Sequence, residues 1–290
     1  MKYYSLNNYL HDTFGEKVYK ISINAGFTCP NRDGTLDTRG CIFCSRGGSG
    51  DFAESPSLSV TEQIEQGKKR VANKIKSGKY IAYFQAFTNT YAPVEVLKSK
   101  FFEAINHPDI VALSIATRPD CLGEDVICLL DELNKIKPVF VELGLQTIHE
   151  DTAKYIRRGY TLDAYDRAVK ELKKINVNIV VHLIIGLPFE TKSDMLESVK
   201  YVCESGANGI KLQLLHILKG TDLEEEYRQG KFNALEFDEY IDIIRDCVDI
   251  IPNDIVIHRL TGDGAKKDLI APLWSADKKR VLNALNNMLK

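Results

Sequence analysis

Residues 18–44 read VYKISINAGFTCPNRDGTLDTRGCIFC. The stretch opens on an apolar, β-branched run at 18–23 that predicts a strand. It runs straight into a glycine-punctuated loop carrying three cysteines, Cys29, Cys41 and Cys44, spaced C-x11-C-x2-C. A strand that hands over to a thiol-rich loop puts its chemistry at the strand's C-terminal end. Parallel α/β sheets, open or closed, hold their sites there.

Five more short apolar runs follow, at 81–84, 110–115, 139–143, 179–185 and 210–214. Between them lie longer segments with helical spacing of apolar residues, at 61–77, 94–106, 124–136, 162–175 and 192–205. Thr61 is placed to cap the first, with Glu65 in its first turn. Strands separated by helices build βαβ units and a parallel sheet. The runs are apolar on both faces, as burial beneath helices requires. Two architectures satisfy this α/β pattern, an open doubly wound sheet and a partial (β/α)6 barrel, and the alternation by itself leaves both open. Beyond residue 219 the pattern changes: a helix is expected at 236–250, a strand at 255–258 and a terminal helix at 277–289. The expected organisation is an N-terminal extension over 1–18, a core domain over 19–219 and a C-terminal extension over 220–290 that closes the barrel.

Composition narrows the function classes. Over 290 residues, 44% hydrophobic and 27% charged content is that of an ordinary globular chain. A net charge of −2 excludes a globally basic nucleic-acid binder, so any RNA contact must use a local patch. The first twenty residues hold no apolar signal core, and no apolar run approaches the roughly 20 residues that span a bilayer. A cytoplasmic protein without membrane partners is expected. Seven cysteines in such a chain do not suggest a disulfide framework. Cys128, inside VICLL, reads as a small core residue.

The three clustered thiols read as a metal site. Structural zinc takes four protein ligands, and no fourth cysteine is near in sequence. Iron–sulfur clusters also usually take four thiolates. A four-iron cluster on three cysteines keeps one iron open for a ligand. Iron–sulfur, zinc and unrelated thiols all remain possible from spacing alone.

The strand, the loop ending in Cys-x-aromatic-Cys and the (β/α)6 pattern together resemble the radical S-adenosylmethionine (SAM) superfamily. That family's usual spacing is C-x3-C-x2-C, so the first gap here is expanded. Such an expansion is similar to that of the Elongator catalytic subunit and its bacterial relatives. The segments ISINAGFTCPNRDGTLDTRGCIFC, TRPDC, ELGLQT, HLIIGLP and RLTGDG resemble the YhcC/YtqA-type radical SAM family over nearly the whole chain. The resemblance implies a [4Fe-4S] cluster on Cys29, Cys41 and Cys44, with SAM chelated by the open iron. Reduction would then cleave SAM to a 5′-deoxyadenosyl radical. It implies that Phe43 packs beside the adenine, and that Gln85 and Thr88 replace the usual Gly-Gly-Glu segment that meets the SAM amino group. It further implies that Gln146, Arg158 and His182 touch the cofactor, Arg158 by paired hydrogen bonds to the SAM carboxylate. A reducing partner such as flavodoxin or ferredoxin goes with that chemistry.

For the substrate, the Elongator-like resemblance implies tRNA, with modification of the C5 side chain of the wobble uridine. Two basic groups could meet its phosphates: Lys68, Lys69, Arg70, Lys74, Lys76 and Lys79, and then Lys266, Lys267, Lys278, Lys279 and Arg280. The polar, glycine-rich HRLTGDG at 258–264 is a candidate lid over the substrate. The alternatives are a radical SAM oxidoreductase acting on a small molecule, and an iron–sulfur or zinc RNA-binding module without catalysis.

Overall fold

All six apolar runs of the core form strands, and their order in space separates the two architectures. The structure is a computed structural model that describes residues 3–50, 53–73, 78–262, 264 and 266–289. In chain order its elements are α1 (Leu6–Phe14), β1 (Tyr19–Ile23), α2 (Val60–Val71), β2 (Tyr80–Phe84), α3 (Val94–Ile105), β3 (Ile110–Thr117), α4 (Glu124–Asn134), β4 (Val139–Gln146), α5 (Glu150–Tyr155), α6 (Leu162–Lys174), β5 (Asn178–Ile185), α7 (Lys192–Ser205), β6 (Gly209–Leu214), β7 (Ile217–Leu218), α8 (Asp222–Arg228), α9 (Phe237–Ile250), β8 (Val256–Arg259), β9 (Leu269–Ala271) and α10 (Lys278–Met288). The parallel sheet runs β1-β2-β3-β4-β5-β6-β8. A doubly wound sheet reverses its strand order at a switch point. This order never reverses, so the sheet winds one way and curls into a half-barrel.

Burial divides the strand residues by face. Ile21, Phe84, Leu113, Val141, Val181 and Leu212 point outward into one core shared with the flanking helices. The inward residues stack in layers. At the bottom, Ile81, Ala112, Phe140 and Val180 pack against Leu10 of α1 and Val18. Helix α1, which the sequence reading passed over, therefore plugs the floor of the half-barrel. Its N-terminal neighbour Tyr4 accepts a hydrogen bond from the Ile257 amide of β8 at 2.8 Å. A third apolar group lies near the cysteine loop, where Ile42 meets Ile156, Leu215 and Leu223. The Leu223 amide at the start of α8 donates to the Ile42 carbonyl at 3.1 Å, so the region after β6 holds the cysteine loop in place.

Three local readings are corrected. The first core helix is capped by Ser59, not Thr61: the Ser59 hydroxyl accepts from the Glu62 amide, and the Glu62 carboxylate reaches back in a capping box. Cys128 is exposed, because VICLL turns its Val126, Leu129 and Leu130 inward and leaves position 128 on the outer face of α4. The cysteine that is buried is Cys247 of α9. The strands are also not apolar on both faces, since the inward face of the middle layer is charged. Lys74 and Lys76, with the end of the helix expected at 61–77, lie outside the described residues, as does Asp263 of the candidate lid.

Candidate active site

A cavity of about 610 Å³ occupies the concave side of the sheet. Cys29, Cys41, Phe43, Cys44, Gln85, Thr88, Gln146, Arg158 and His182 all line it. The sequence-selected residues are therefore brought together, although they come from five separate segments.

The cysteine loop is fixed by polar side chains that the sequence reading did not single out. Asn31 donates its side-chain amide to the carbonyls of Arg157 at 2.7 Å and Arg158 at 3.2 Å, and lies 3.5 Å from the Cys41 sulfur. Arg32 donates to the carbonyls of Cys44 at 3.1 Å and Ser45 at 2.6 Å. The loop after the third cysteine meets the loop after β2: the Phe87 amide donates to the Gly48 carbonyl at 2.7 Å. A Cβ on Gly48 would lie 2.3 Å from the Phe87 ring, and its φ of +55° disfavours any other residue. Burial, then the adjoining Cys44, push the Cys41 thiol up to about 12.

The donor set suits a cluster better than a single ion. Four-coordinate zinc holds its sulfurs at about 2.3 Å, which forces them to within roughly 4 Å of one another. Among the described residues the three cysteine sulfurs are not a group lying within 4.8 Å of one another. At the end of β4, Gln146 adopts φ +70° where the β4–β5 register shifts, and its buried side-chain oxygen has no hydrogen-bond partner among the described residues. On the wall of a cavity shared with three thiols, that acceptor is free to take a hydrogen bond from a bound group.

Arg158 is buried, and its donors are largely spent. Nε donates to the Tyr160 carbonyl at 3.0 Å, one terminal nitrogen to the carbonyls of Thr147 at 2.6 Å and Leu145 at 3.3 Å, and the other to Glu150 at 3.1 Å. A guanidinium has five N–H groups, so at most one is left over. The expected two-point grip on a carboxylate would require Glu150 to let go. Arg158 instead ties down the strand end that carries Gln146. Gln85 accepts from the Ser22 hydroxyl at 2.9 Å.

Beneath this rim is a polar layer that sequence reasoning missed apart from His182. Glu142 of β4 is buried at its centre. One of its oxygens accepts from Lys20 at 2.6 Å and from Ser114 at 2.5 Å. The other accepts from His182 at 2.7 Å and from Lys211. Gln213 donates to Nδ1 of His182 at 3.1 Å, which leaves the His182 Nε2 proton to Glu142. Burial, then the charge on Lys211, bring His182 down to about 4, so it is neutral near pH 7. Burial alone would raise Glu142, but Lys20 and Lys211 hold it well below the usual carboxylate range. Burial, aided by the charges on Lys20 and Arg259, lowers Lys211 to about 7 against the pull of Glu142. One signal for this layer was legible: a lysine or glutamate in the middle of a β-branched run, as in YKISI, VELGL and GIKLQ.

A pH dependence follows. In the window between its folded value of about 7 and the ordinary lysine value of about 10.4, Lys211 holds fewer protons folded than unfolded. Its contribution to stability therefore rises with pH across that window. Urea unfolding near pH 7 and pH 8, with titrations common to both proteins cancelling in the comparison, should show a larger gain for the parent than for Lys211→Met. Equal gains would mean that Lys211 titrates as an ordinary lysine.

Three members of the first basic group, Lys68, Arg70 and Lys79, are paired with carboxylates. Lys68 sits 2.7 Å from Glu65 and 2.5 Å from Asp109, Arg70 is 2.7 Å from Glu54, and Lys79 is 2.7 Å from Glu16. In the second group, Arg280 lies over the Phe237 ring at 4.2 Å. The candidate lid is split between roles: Arg259 and Gly264 line the cavity, while His258 points at Gly209 below it. Among the described residues no helix is long and apolar enough to cross a membrane.

A one-way parallel half-barrel with a three-cysteine loop after its first strand defines a radical SAM protein. The Radical SAM superfamily profile matches residues 29–202, and the Radical SAM C-terminal domain profile matches 207–290. The chain belongs to the radical SAM superfamily, whose members bind a [4Fe-4S] cluster and SAM. It is 47% identical to uncharacterized protein YtqA of Bacillus subtilis over 289 residues, spanning 100% of this chain and 90% of that one. It is 36% identical to protein YhcC of Escherichia coli over 91% of this chain and 85% of that one. A stretch of 156 residues, 53% of this chain and 28% of the other, is 29% identical to tRNA uridine(34) acetyltransferase of Methanocaldococcus jannaschii. Among solved structures, the archaeal Methanocaldococcus infernus Elp3 with an N-terminal deletion shares the fold, with a TM-score of 0.65 at 19% identity over 91% of this chain and 63% of that one.

Proposed function

We propose that this chain is an enzyme that cleaves SAM reductively inside its half-barrel and modifies the C5 side chain of a tRNA wobble uridine. One observation carries the catalytic part: Cys29, Cys41 and Cys44, none of them in a disulfide, share one cavity with Phe43 and with a Gln146 oxygen that has no hydrogen-bond donor among the described residues. Cys29, Cys41 and Cys44 would hold the cluster, with SAM between Phe43, Gln85, Thr88 and Gln146. His182 would face the cofactor as a neutral ring. When bound and reduced, the pair supplies a carbon radical that removes a hydrogen atom from substrate. The chain's own contribution is to position and to exclude water: Asn31 and Arg32 fix the cysteine loop, Arg158 fixes the end of β4, and α1 seals the floor. The tRNA part is supported by the 29% identity to the tRNA uridine(34) acetyltransferase.

A second reading, a radical SAM oxidoreductase acting on a small molecule, is favoured by the pairing of Lys68 with Glu65 and Asp109. Those contacts leave α2 with less charge for phosphates than its sequence suggests. Two measurements divide the readings. Reduced, reconstituted protein should release 5′-deoxyadenosine from SAM. tRNA from a strain lacking the protein should have lost one wobble-uridine nucleoside. Release of 5′-deoxyadenosine with an unchanged tRNA profile would hand the substrate to the second reading. No release would reject both.

A further inference from the structure

The two basic groups of the sequence part company in the structure. In the first, Lys68, Arg70 and Lys79 are held by carboxylates. The second gathers around one groove of about 510 Å³. There Lys266, from the segment before β9, joins Lys278, Lys279 and Arg280 of the first turn of α10, with Leu273 and Trp274. Asp277 is the sole carboxylate among the described lining residues, so it offsets at most one of these four cations. Neither Lys266 nor Lys279 has a carboxylate partner among the described residues. Arg280 lies over the Phe237 ring, a contact that orients the guanidinium and leaves its charge in place. On a chain of net charge −2, this groove is therefore a local concentration of positive charge.

We infer that this groove binds the phosphate backbone of an RNA strand and directs one unpaired nucleotide into the cysteine-lined cavity. The inference rests on the tRNA reading above and adds the surface that the RNA would use. Placement carries it. Gly264 lines the cavity and Lys266 lines the groove, and two residues of chain span at most about 7 Å. Strand β9 makes the same link. Leu269 pairs with Leu218, which lies on the cavity wall, and the chain then runs through Ala271 to Leu273 and α10. Phosphates held by Lys266 and Lys279 would thus lie beside the cavity and not on a remote face. The groove's apolar side favours RNA over an acidic protein surface. Leu273 is 70% exposed among the cations, and Trp274 is fixed beside it by donating to the Leu235 carbonyl at 3.0 Å. A nucleic-acid strand offers phosphate to the cations and base or sugar to the apolar pair.

The test is fluorescence anisotropy of a labelled, unmodified tRNA transcript titrated with the anaerobically reconstituted full chain over a series of salt concentrations. The parent should bind saturably, with affinity that falls as salt rises. Combining Lys266→Gln with Lys279→Gln should weaken binding about tenfold or more at low salt. It should also flatten the logarithmic salt slope by about two, one for each cation removed. Both side chains are exposed, so the variant should fold and release 5′-deoxyadenosine from SAM as the parent does. The matched change in the paired group, Lys68→Gln with Lys79→Gln, should leave the slope nearly unchanged. No tRNA binding by the parent, or a groove variant that binds like the parent or no worse than the matched control, overturns the proposal. Flavodoxin titrated into the same proteins covers the competing partner. If the groove variant loses flavodoxin binding and keeps tRNA binding, the groove belongs to the reducing partner and the RNA proposal falls. Wobble nucleosides in the deletion strain keep the two readings apart. A nucleoside lost on deletion but fully restored by the groove variant rejects the groove alone. Groove-dependent tRNA binding with an unchanged nucleoside profile rejects wobble modification alone.

Discussion

Cys29→Ala, Cys41→Ala and Cys44→Ala are each expected to yield protein that takes up no stable iron and releases no 5′-deoxyadenosine, against about four irons and four sulfides per chain in the parent. The expectation comes from geometry. All three thiols face one cavity, and the loop bearing them is held by Asn31, Arg32 and the packing of Ile42 on Ile156 and Leu223. With one thiolate gone, two remaining ligands cannot hold a four-iron cube. Cys128→Ala is the control, since Cys128 is exposed on the outer face of α4. Iron and sulfide assays with the visible absorption of the reconstituted protein read the outcome. A stoichiometric zinc with no iron in the parent, or full iron in a triad variant, would reject the assignment.

The parallel α/β sheet was legible because its strands are β-branched runs, and burial on the outward face demands such runs wherever helices cover a sheet. The direction of winding was not legible. It depends on which strands pair, and β1 to β6 have the same kind of sequence whether they reverse order or not. Helix α1 was missed because Leu6–Phe14 is short and mostly polar, with only Leu10 fully buried. Its role as a plug is a tertiary fact. The cysteine site was legible from spacing and resemblance, because three thiols in sixteen residues have few other uses. Its supports were not: Asn31 and Arg32 look like ordinary loop residues until Arg157 and Cys44 are folded against them. The basic run on α2 misled in the opposite way. Lys68 reads as free charge in sequence, yet folding brings Asp109 to it from 41 positions away.

The second large effect concerns Glu142. Glu142→Gln keeps the size of the side chain but turns one of its two accepting oxygens into a donating amide and removes the negative charge facing Lys20 and Lys211. Breaking a buried ion pair by removing one partner costs about 3–5 kcal/mol, because the remaining charge is left uncompensated. A loss of that order is expected in urea unfolding at neutral pH, without change in the slope against denaturant. The coupled variant isolates the cause. Adding Lys211→Met to Glu142→Gln removes one of the stranded cations, so the double variant should lose less than the two single losses combined. The pH profile gives an independent sign. Glu142 titrates well below the usual carboxylate range when folded and near 4.3 when unfolded, so between those values the unfolded chain holds more protons. Its stabilisation is therefore complete above about pH 5 and is lost as pH falls through the folded value, a loss that Glu142→Gln should not show. If Glu142→Gln instead costs less than about 1 kcal/mol and the double variant is merely additive, the lysines carry no buried charge. The layer would then be a hydrogen-bond network in which no buried ion pair is at stake.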